Sequence, residues 1–357
     1  MTIRTLGIVG AGTMGAGIAI NAVVSGLSVV LVDRSAEVLA KAGAKLDKFL
    51  ARQVEKGRMS PDAVAGLRAQ LSTAAEMSAL AGCDMVIEAV FENLDLKKTI
   101  FAELERHVSA TCVLATNTSC LRLADIAQAI TTPHRFCGLH YFSPAEINPV
   151  VEIIQGPQTD VAVLDTALGF LKATGKDPIA CKDQNGFALN RFFCPYTNEA
   201  ALMLDEGLAT TGQLDAVARA ALGLAMGPFA VMNIIGTATN LNAVRNLGAL
   251  GPFYQPADSL TRYGTGNTPW EIEAEPAPLD PAREQQIAAR LINAVLLPVT
   301  EELAEGTASL AAIDRGAEKA FRFGRTPGAL LAEIGSDVGS RLRAFAQERG
   351  HPVEKLS

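Results

Sequence analysis

Histidine and cysteine, the residues that most often bind metals or act as nucleophiles, are scarce in this 357-residue sequence, which has 4 histidines and 6 cysteines. The cysteines form no C-x-x-C pair and stand in apolar surroundings, so their spacing predicts neither a zinc site nor a disulfide framework. We expect no bound metal. We interpret the cysteines as reduced core residues of a cytosolic protein: Cys83, Cys112, Cys120, Cys137, Cys181 and Cys194.

An excess of basic residues is also missing. The chain has 31 Lys and Arg against 38 Asp and Glu, a formal net charge of −7. Such a balance does not create the positive field that attracts a phosphate backbone, so nucleic acid is not an expected partner. An anionic small ligand would need a local basic patch.

The sequence lacks the pattern of a signal peptide and has no convincing membrane span. Residues 6–32 carry no charge and are long enough to cross a bilayer. Glycines, however, divide this run into the strand-like segments "LGIVG" and "LSVVLVD" around a middle of small residues. A buried β-turn-α-β unit explains the run better, so we expect neither export nor a membrane partner.

A nucleotide-binding pattern opens the chain. Gly10, Gly12 and Gly15 follow a predicted strand in G-x-G-x-x-G order and begin a predicted helix, while Asp33 ends the next strand. The glycines allow a tight turn and close approach of the backbone to a pyrophosphate, and the acid suits the adenosine ribose of NAD. Arg34 leaves NADP open, because an arginine there can accept a 2′-phosphate. Two further expected cofactor contacts within the glycine motif are Thr13 and Met14.

Polar residues then follow two more predicted strands, at the edge where open α/β sheets bind ligands. Glu88, Glu92 and Lys97 follow the first strand. Asn117 and Ser119 lie in "TNTS" after the second, where they could cap the next helix or face the cofactor.

One predicted helix carries a basic face. Its cations recur at steps of four, three, four and four residues, which places them on one side of the helix: Lys41, Lys45, Lys48, Arg52 and Lys56. An ordinary solvated surface would show the same pattern. In so acidic a protein, however, this face is also a candidate site for a polyphosphate.

Two ionisable residues stand in apolar strand-like runs of "GLHYFSPAEINPVVEII". Pro144, Asn148 and Pro149 predict a turn between the runs, which could return Glu152 to His140. A carboxylate fixes the tautomer of a neighbouring imidazole and makes it a better base. Dehydrogenation of an alcohol without a metal requires such a base while hydride leaves for a nicotinamide.

Several segments together resemble the L-3-hydroxyacyl-CoA dehydrogenase family, in the order of that family and over essentially the whole chain. They are "GAGTMGAGIA", "IEAVFENLDLKKTIF", "TNTSCL", "GLHYFSPAEINPVVEII" and "DQNGFALNRFFCPYTNEAALMLDEG". The resemblance implies NAD-dependent oxidation of an (S)-3-hydroxyacyl-CoA to the 3-ketoacyl-CoA.

The resemblance also implies roles for particular residues. His140 would be the general base and Glu152 its partner, while Ser119 and Asn190 would position the 3-oxygen of the substrate. Glu92 and Lys97 would contact the ribose and the nicotinamide side of NAD. The basic helical face would lie near the coenzyme A phosphates, with substrate contacts from Lys48 and Lys56.

Some positions depart from the family pattern. The family usually reads H-F-F-N-P, with methionine and lysine shortly before the "LVE" strand, where this chain has Ser143, Asn148 and Pro149. Asn233 replaces an aspartate before a G-L-D turn. These changes retain the base and its partner, but they count against a simple straight-chain acyl group in the substrate.

The second half of the chain is helical and contains an internal repeat. A shift of 99 residues aligns residues 190–236 with 289–335 without a gap, so that Arg191 meets Arg290 and Asp215 meets Asp314. We therefore predict a Rossmann-type α/β domain (1–182) followed by an all-α region of two repeated helical units. These units are 183–268 and 284–357, joined by a linker over 269–283.

Two other functions remain open from the sequence. The chain could oxidise a free hydroxy acid, as the gulonate dehydrogenase and lambda-crystallin branch of the superfamily does, or bind NAD without catalysis. Relatives with one helical unit pair two chains through it. Since the second unit could take the partner's place, we expect a monomer or a homodimer that binds one NAD per chain.

Overall fold

The computed structural model describes residues 2–354, which form two compact units that divide between Asp183 and Gln184. We call them the N-terminal unit and the C-terminal unit. The first mixes strands with helices, whereas the described residues of the second form helices and connecting segments only. The sequence placed this boundary after residue 182.

The N-terminal unit is built on a sheet that has eight strands in the described part of the chain. The strands are β1 (Thr5–Val9), β2 (Ser28–Val32), β3 (Leu71–Ala74), β4 (Met85–Glu88), β5 (Val113–Thr116), β6 (Phe136–Tyr141), β7 (Val150–Gln155) and β8 (Asp177–Lys182). Their spatial order is β3-β2-β1-β4-β5-β6-β7-β8, and only β6 and β7 pair in antiparallel fashion. The order reverses between β1 and β4, where sheets of this type open a crevice for a ligand.

Helices connect the parallel strands of this unit. They are α1 (Thr13–Val24), α2 (Ala36–Glu55), α3 (Pro61–Arg68), α4 (Leu94–His107), α5 (Leu123–Ala127) and α6 (Val161–Ala173). The central strands are almost entirely buried because both faces of the sheet are covered, which explains their uninterrupted apolar sequences. The predicted α/β class of this unit is confirmed.

The segment between β2 and β3 forms two helices, and the predicted basic face lies on the first of them or directly after it. Gly57 adopts φ +66°, a left-handed conformation that glycine accepts readily and that ends α2. Ser60 then accepts a hydrogen bond from the backbone N–H of Ala63, and Pro61 provides the first residue of α3.

The C-terminal unit consists of packed helices. They are α7 (Leu189–Asp205), α8 (Thr211–Leu222), α9 (Pro228–Ile235), α10 (Thr237–Leu247), α11 (Asp258–Gly266), α12 (Pro281–Glu305), α13 (Leu310–Phe321), α14 (Pro327–Ile334) and α15 (Val338–Glu348). Phe193 of α7 stacks on Phe321 with ring centroids 4.1 Å apart. The helical class of this region, predicted from its sequence, is also confirmed.

The bounds of α8 and α9 recur at α13 and α14 with the 99-residue offset of the sequence alignment. The side-chain contacts recur as well. Asp215 accepts a hydrogen bond from the backbone N–H of Phe229 at 2.8 Å, and Asp314 accepts one from Gly328 at 2.7 Å. These recurrences support the prediction that the later helices are a second copy of the earlier ones. It stays a prediction.

The predicted linker differs from the structure in two respects. First, α12 begins at Pro281 because Asp280 caps it, so the linker is shorter than residues 269–283. Second, the linker is fastened to the preceding helices: the amide of Asn233 donates to the carbonyl of Trp270 at 2.9 Å and accepts from its N–H at 2.7 Å. An aspartate could not make both bonds, which explains in structural terms why this chain has an asparagine at position 233.

Within residues 2–354, no helix combines the length and the hydropathy that crossing a membrane requires. Across the same residues, no three His, Cys, Asp or Glu side chains come together as a metal-binding group. The six cysteines are buried free thiols.

Candidate active site

The predicted acid–base pair lies in the hairpin of β6 and β7. His140 and Glu152 are direct partners in the antiparallel register, so their side chains leave the same face of the sheet. Nδ1 of His140 lies 2.6 Å from Oε2 of Glu152. The two residues are only 5% and 0% exposed. A carboxylate that accepts from Nδ1 fixes the imidazole tautomer and directs proton exchange to Nε2.

A buried lysine holds the connection between these strands, residues 142–149. Nζ of Lys176 donates to the carbonyls of Ala145 at 2.7 Å and Asn148 at 2.8 Å. Burial lowers the pKa of Lys176 to about 8, and the nearby charge of Glu146 opposes part of this effect. Sequence reasoning missed Lys176 because a single lysine before β8 belongs to no periodic pattern.

The same connection contacts α1 and α2 through Glu146. Its Oε1 lies 2.9 Å from Nζ of Lys45 on the basic helix. A Cβ atom built on Gly17 would lie 2.6 Å from Oε2 of Glu146, so the missing side chain at Gly17 is what lets the carboxylate approach α1. Glu146 therefore neutralises one cation of the basic face.

The rest of the basic face is divided between paired and exposed cations. Lys41 pairs with Glu37 at 2.6 Å, both on α2. Lys48, Arg52 and Lys56 are exposed, and within the described residues none of them lies at ion-pair distance from a carboxylate. The cations available to a ligand are thus those toward the C-terminal end of α2.

Glu92 organises the turn that contains Ser119. Its Oε1 accepts from the backbone N–H groups of Ser119 at 2.8 Å and Cys120 at 3.1 Å, and from the hydroxyl of Thr118. Burial raises the pKa of Glu92, but the charge of Lys97 and these hydrogen bonds outweigh burial and hold the pKa below its usual range. The carboxylate is therefore ionised near neutral pH.

Lys97 joins two carboxylates at the end of β4. Its Nζ lies 2.7 Å from Oε1 of Glu88 and 3.2 Å from Oε2 of Glu92, and the side chain is 1% exposed. Oε2 of Glu88 in turn accepts from the hydroxyl of Thr116. The cofactor contacts that the sequence assigned to Glu92 and Lys97 would therefore be made by a preassembled ionic group, and they stay predictions.

The "TNTS" segment does not cap the following helix. The carboxylate of Asp183 accepts from the backbone N–H groups of Leu123 and Ala124, both at 2.8 Å, and thereby caps α5. Asn117 instead accepts from the backbone N–H of Tyr141 at 2.8 Å and links the ends of β5 and β6. The substrate role of Ser119 and the cofactor role of Asn117 stay predictions.

The glycine-rich loop has the geometry that a pyrophosphate requires. Gly10 adopts φ +98°, and a Cβ atom on Gly15 would lie 1.8 Å from the carbonyl oxygen of Gly10. No atom lies within 4 Å of a Cβ atom built on Gly12, so the space above the loop is open. Among the residues that the structure describes, no side chain caps α1, which begins at Thr13 and Met14, so its first N–H groups are available to an anion.

Asp33 lies beside this loop at the end of β2. Its carboxylate accepts from the backbone N–H groups of Ala11 and Ser35, each at 2.9 Å. A carboxylate in this place suits a ribose diol and repels a 2′-phosphate. Arg34 is exposed next to it. The loop, the open N-terminus of α1 and Asp33 together fit NAD.

Asn190, the fourth predicted catalytic residue, lies in the first turn of α7. It belongs to the C-terminal unit, whereas Ser119, His140 and Glu152 belong to the N-terminal unit. The turn before α7 contains two residues with positive φ, Gly186 at 76° and Phe187 at 52°. Sequence patterns do not predict the second of these, because a phenylalanine rarely adopts this conformation.

Comparison with protein families identifies both units. Residues 5–184 match the NAD binding domain of 3-hydroxyacyl-CoA dehydrogenase, and residues 186–265 match the C-terminal domain of that family. The family descriptions thus cover the glycine-rich loop, the His140 and Glu152 pair and Asn190. They do not extend over α12 to α15.

Individual relatives agree with this match. The mitochondrial hydroxyacyl-coenzyme A dehydrogenase of Homo sapiens is 34% identical over 270 residues, which are 73% of this chain and 86% of the relative. The structure of (S)-3-hydroxybutyryl-CoA dehydrogenase from Ralstonia eutropha has a TM-score of 0.71 and 35% identity, covering 74% of this chain and 94% of the other.

A third similarity extends over the remaining helices. The structure of 3-hydroxybutyryl-CoA dehydrogenase from Escherichia coli K12 has a TM-score of 0.88 and covers 100% of this chain and 97% of the other, at 23% identity. At this identity the similarity concerns the fold, and it includes α12 to α15. On the two domain matches and the human relative, the chain belongs to the 3-hydroxyacyl-CoA dehydrogenase family.

Proposed function

We propose that the protein oxidises the 3-hydroxyl group of an (S)-3-hydroxyacyl-CoA to a ketone with NAD as the hydride acceptor. The observation that carries this proposal is the buried His140 and Glu152 pair, 2.6 Å apart, in the sheet that also presents the glycine-rich loop. Relatives named hydroxyacyl-CoA and (S)-3-hydroxybutyryl-CoA dehydrogenases support the substrate class.

In the proposed reaction, His140 removes the hydroxyl proton through Nε2. Glu152 holds the ring through Nδ1 and balances the charge of the imidazolium that forms. Bound NAD supplies the acceptor for the hydride that leaves carbon 3. Ser119 and Asn190 donate hydrogen bonds to the 3-oxygen, which fixes the substrate relative to the base.

Glu92 contributes in two ways under this proposal. Its carboxylate fixes the backbone of Ser119 and Cys120, so the substrate-binding hydroxyl starts from a rigid turn. Together with Lys97 it also faces the ribose on the nicotinamide side of NAD. The ion pair between them keeps both groups in place before the cofactor binds.

Coenzyme A binds, in this proposal, to the exposed cations of α2. Lys48, Arg52 and Lys56 recur at intervals of four residues, so they present a row of positive charges to its phosphates. Lys45 is withdrawn from this row because Glu146 neutralises it.

For the C-terminal unit, we propose that α12 to α14 are a second copy of α7 to α9 and replace a partner chain. Two reciprocal ion pairs support this: Arg191 of α7 binds Glu305 of α12, and Arg290 of α12 binds Glu206 of α7. One chain then binds one NAD, as a monomer or homodimer. Calorimetric titration with NADH combined with light scattering tests this, and two nucleotide sites per chain would contradict it.

The proposed reaction is tested by following NADH absorbance with acetoacetyl-CoA, longer 3-ketoacyl-CoAs and free hydroxy acids. We expect turnover of the CoA thioesters and little of the free acids. Turnover of free acids alone would assign the chain to a hydroxy acid dehydrogenase. If the protein binds NADH but turns over none of these compounds, it is a nucleotide-binding protein that does not catalyse this reaction.

A further inference from the structure

Arg191, the residue directly after Asn190, is an internal residue of the C-terminal unit with an exposed fraction of 0%. Its guanidinium binds Glu305 of α12 through Nη1 and through Nη2, the latter at 3.0 Å, and Nη2 also lies 3.5 Å from Oε2 of Glu301. Burial lowers the pKa of Arg191, but the hydrogen bond and the charges around it outweigh burial, so the pKa lies above its usual range. The side chain is thus a fixed cation.

Glu301 is itself fixed by two partners. The hydroxyl of Tyr254 donates to its Oε2 at 2.5 Å, and Nε2 of His351 lies 2.7 Å from its Oε1. Tyr254 precedes α11 and His351 follows α15, so a segment from the middle of the C-terminal unit and one near its end converge on the carboxylate. Arg191 therefore lies beside a carboxylate that two other side chains already hold, in addition to its closer partner Glu305.

The first turn of α7 depends on this anchor, the ion pairs of Arg191, more than the first turn of an ordinary helix would. Pro195 lies within α7 and has no N–H, so the carbonyl of Arg191 lacks the hydrogen bond that a residue at position 195 would normally donate. A Cβ atom on Gly186 would lie 3.2 Å from the backbone nitrogen of Arg191, so the preceding turn packs directly on this residue. Asn190 lies between that turn and the part of α7 in which this backbone hydrogen bond is missing.

We propose that Glu305 and Glu301 of the later helices are positioning residues for catalysis, which act through Arg191 to fix the place of Asn190. In this view the helices after the linker contribute to turnover as well as to packing. This inference rests on the proposed function, because it assigns Asn190 to the 3-oxygen of the substrate.

The chain provides a matched control at the equivalent place of the repeat. Arg290 binds Glu206 through Nη1 and through Nη2, the latter at 3.0 Å, and its Nε lies 2.7 Å from Oε1 of Glu199. Its preceding residue, however, is Ala289, which has no polar side chain to position. Weakening this second anchor disturbs the same pair of helices without touching the turn that carries Asn190.

The test compares Arg191→Lys with Arg290→Lys in the full chain, using acetoacetyl-CoA and NADH. Lysine keeps the charge but loses the two-pronged contact with the carboxylate. A displaced positioning group can cost up to about 100-fold in rate, so we expect kcat to fall between 10- and 100-fold in Arg191→Lys and less than 2-fold in Arg290→Lys. The dissociation constant for NADH should be unchanged in both.

A double-mutant cycle separates positioning from general loss of structure. If Arg191 acts through Asn190, Arg191→Lys should lower kcat much less in an Asn190→Ala background than in the wild-type background. Equal kcat losses in the two arginine variants, an undiminished effect in the Asn190→Ala background, or wild-type kcat in Asn190→Ala itself would each overturn the inference.

A second pair of variants guards against misfolding of Arg191→Lys. Glu305→Gln and Glu206→Gln each remove one carboxylate charge from equivalent pairs, and the same kcat difference is expected between them. Failure of the proposed function is distinct, because the wild-type protein would then turn over no 3-ketoacyl-CoA at all.

Discussion

Both units contain ion pairs that involve buried side chains, but they place them differently. In the N-terminal unit, Glu88 and Lys97 lie at the carboxyl end of β4, next to the crevice at which open α/β sheets bind ligands. In the C-terminal unit, Arg191 and Glu305 lie between α7 and α12, and Arg290 and Glu206 repeat the arrangement.

This difference shows that burial of a charge does not by itself identify a catalytic group. At the strand ends, a buried charge lies beside the ligand crevice and can hold a more exposed group there, as Lys97 holds Glu92. Between two helices, the partner of a buried charge is another residue, and the pair fixes helix geometry instead. Variants in the two regions should therefore affect different observables.

The largest expected effect is that of His140→Gln. It removes the base and leaves the glycine-rich loop intact, so kcat should fall by about 10²–10⁴-fold while NADH binds nearly normally. Steady-state assays and NADH titration measure both quantities. Turnover close to the wild-type value would contradict the proposed mechanism.

Glu152→Gln should have the next largest effect on turnover, a loss toward the lower end of that range, about 10²-fold. The imidazolium loses the carboxylate that balances it, and the ring loses the ionic acceptor that holds Nδ1. Steady-state assays measure the loss of kcat. A kcat close to the wild-type value would show that Glu152 does not influence the base.

Lys176 predicts a change in stability with pH. Its folded pKa of about 8 lies below its ordinary value of 10.5, so between these values the unfolded chain binds the extra proton and stability rises with pH. Below pH 8 both states carry the proton and this dependence ends. Relative to Lys176→Met, the free energy of unfolding of the wild type should rise by about 3 kcal/mol across this range.

Chemical denaturation of both proteins at pH 7.5 and pH 10.5 measures this difference. The comparison between the two proteins cancels the other groups that titrate in the same range. Parallel curves for wild type and variant would show that Lys176 has an ordinary pKa.

Asp33→Ala concerns cofactor choice. The wild type should strongly prefer NAD, and loss of the carboxylate should weaken that preference by about 10-fold, since one ribose hydrogen bond is worth roughly 1.4 kcal/mol. The ratio of kcat/KM for NADH and NADPH reports the change. Equal use of both cofactors by the wild type would instead assign the choice to Arg34.

The smallest effect is expected from the exposed basic face. Lys48→Glu or Lys56→Glu should raise KM for a CoA substrate severalfold, and KM for a truncated thioester without the nucleotide much less. Lys41→Glu is a suitable control, because Lys41 already pairs with Glu37. Equal changes in KM for both substrates would identify Lys48 and Lys56 as ordinary solvated lysines.

The sequence predicted the parts of the site that depend on neighbours in the chain. The glycine spacing around Gly10 and Gly15 fixes a turn within one β-turn-α unit. The prolines between His140 and Glu152 predict a return, and the structure places these two residues in register across β6 and β7. The predicted end of the linker failed because the capping signal at Asp280 and Pro281 was not used.

Other parts of the site join residues that are far apart in the sequence. Asp183 caps α5 from 60 residues away in the sequence, and Arg191 binds Glu305, which is 114 residues away. Any of the 38 acidic residues could have been a partner on sequence grounds alone. Ion pairs have little local sequence pattern, because the choice of partner is made by the packing of helices and strands.

The sequence by itself thus determined the α/β and helical classes of the two units, the glycine-rich loop and the return of Glu152 to His140, because local turns and periodic burial encode them. Only the tertiary structure decided which cations of α2 remain exposed, that Lys176 holds the loop between β6 and β7, and that Arg191 binds α12. Each of these depends on which distant backbone and side chains packing brings within a few ångströms, a quantity that no local pattern contains.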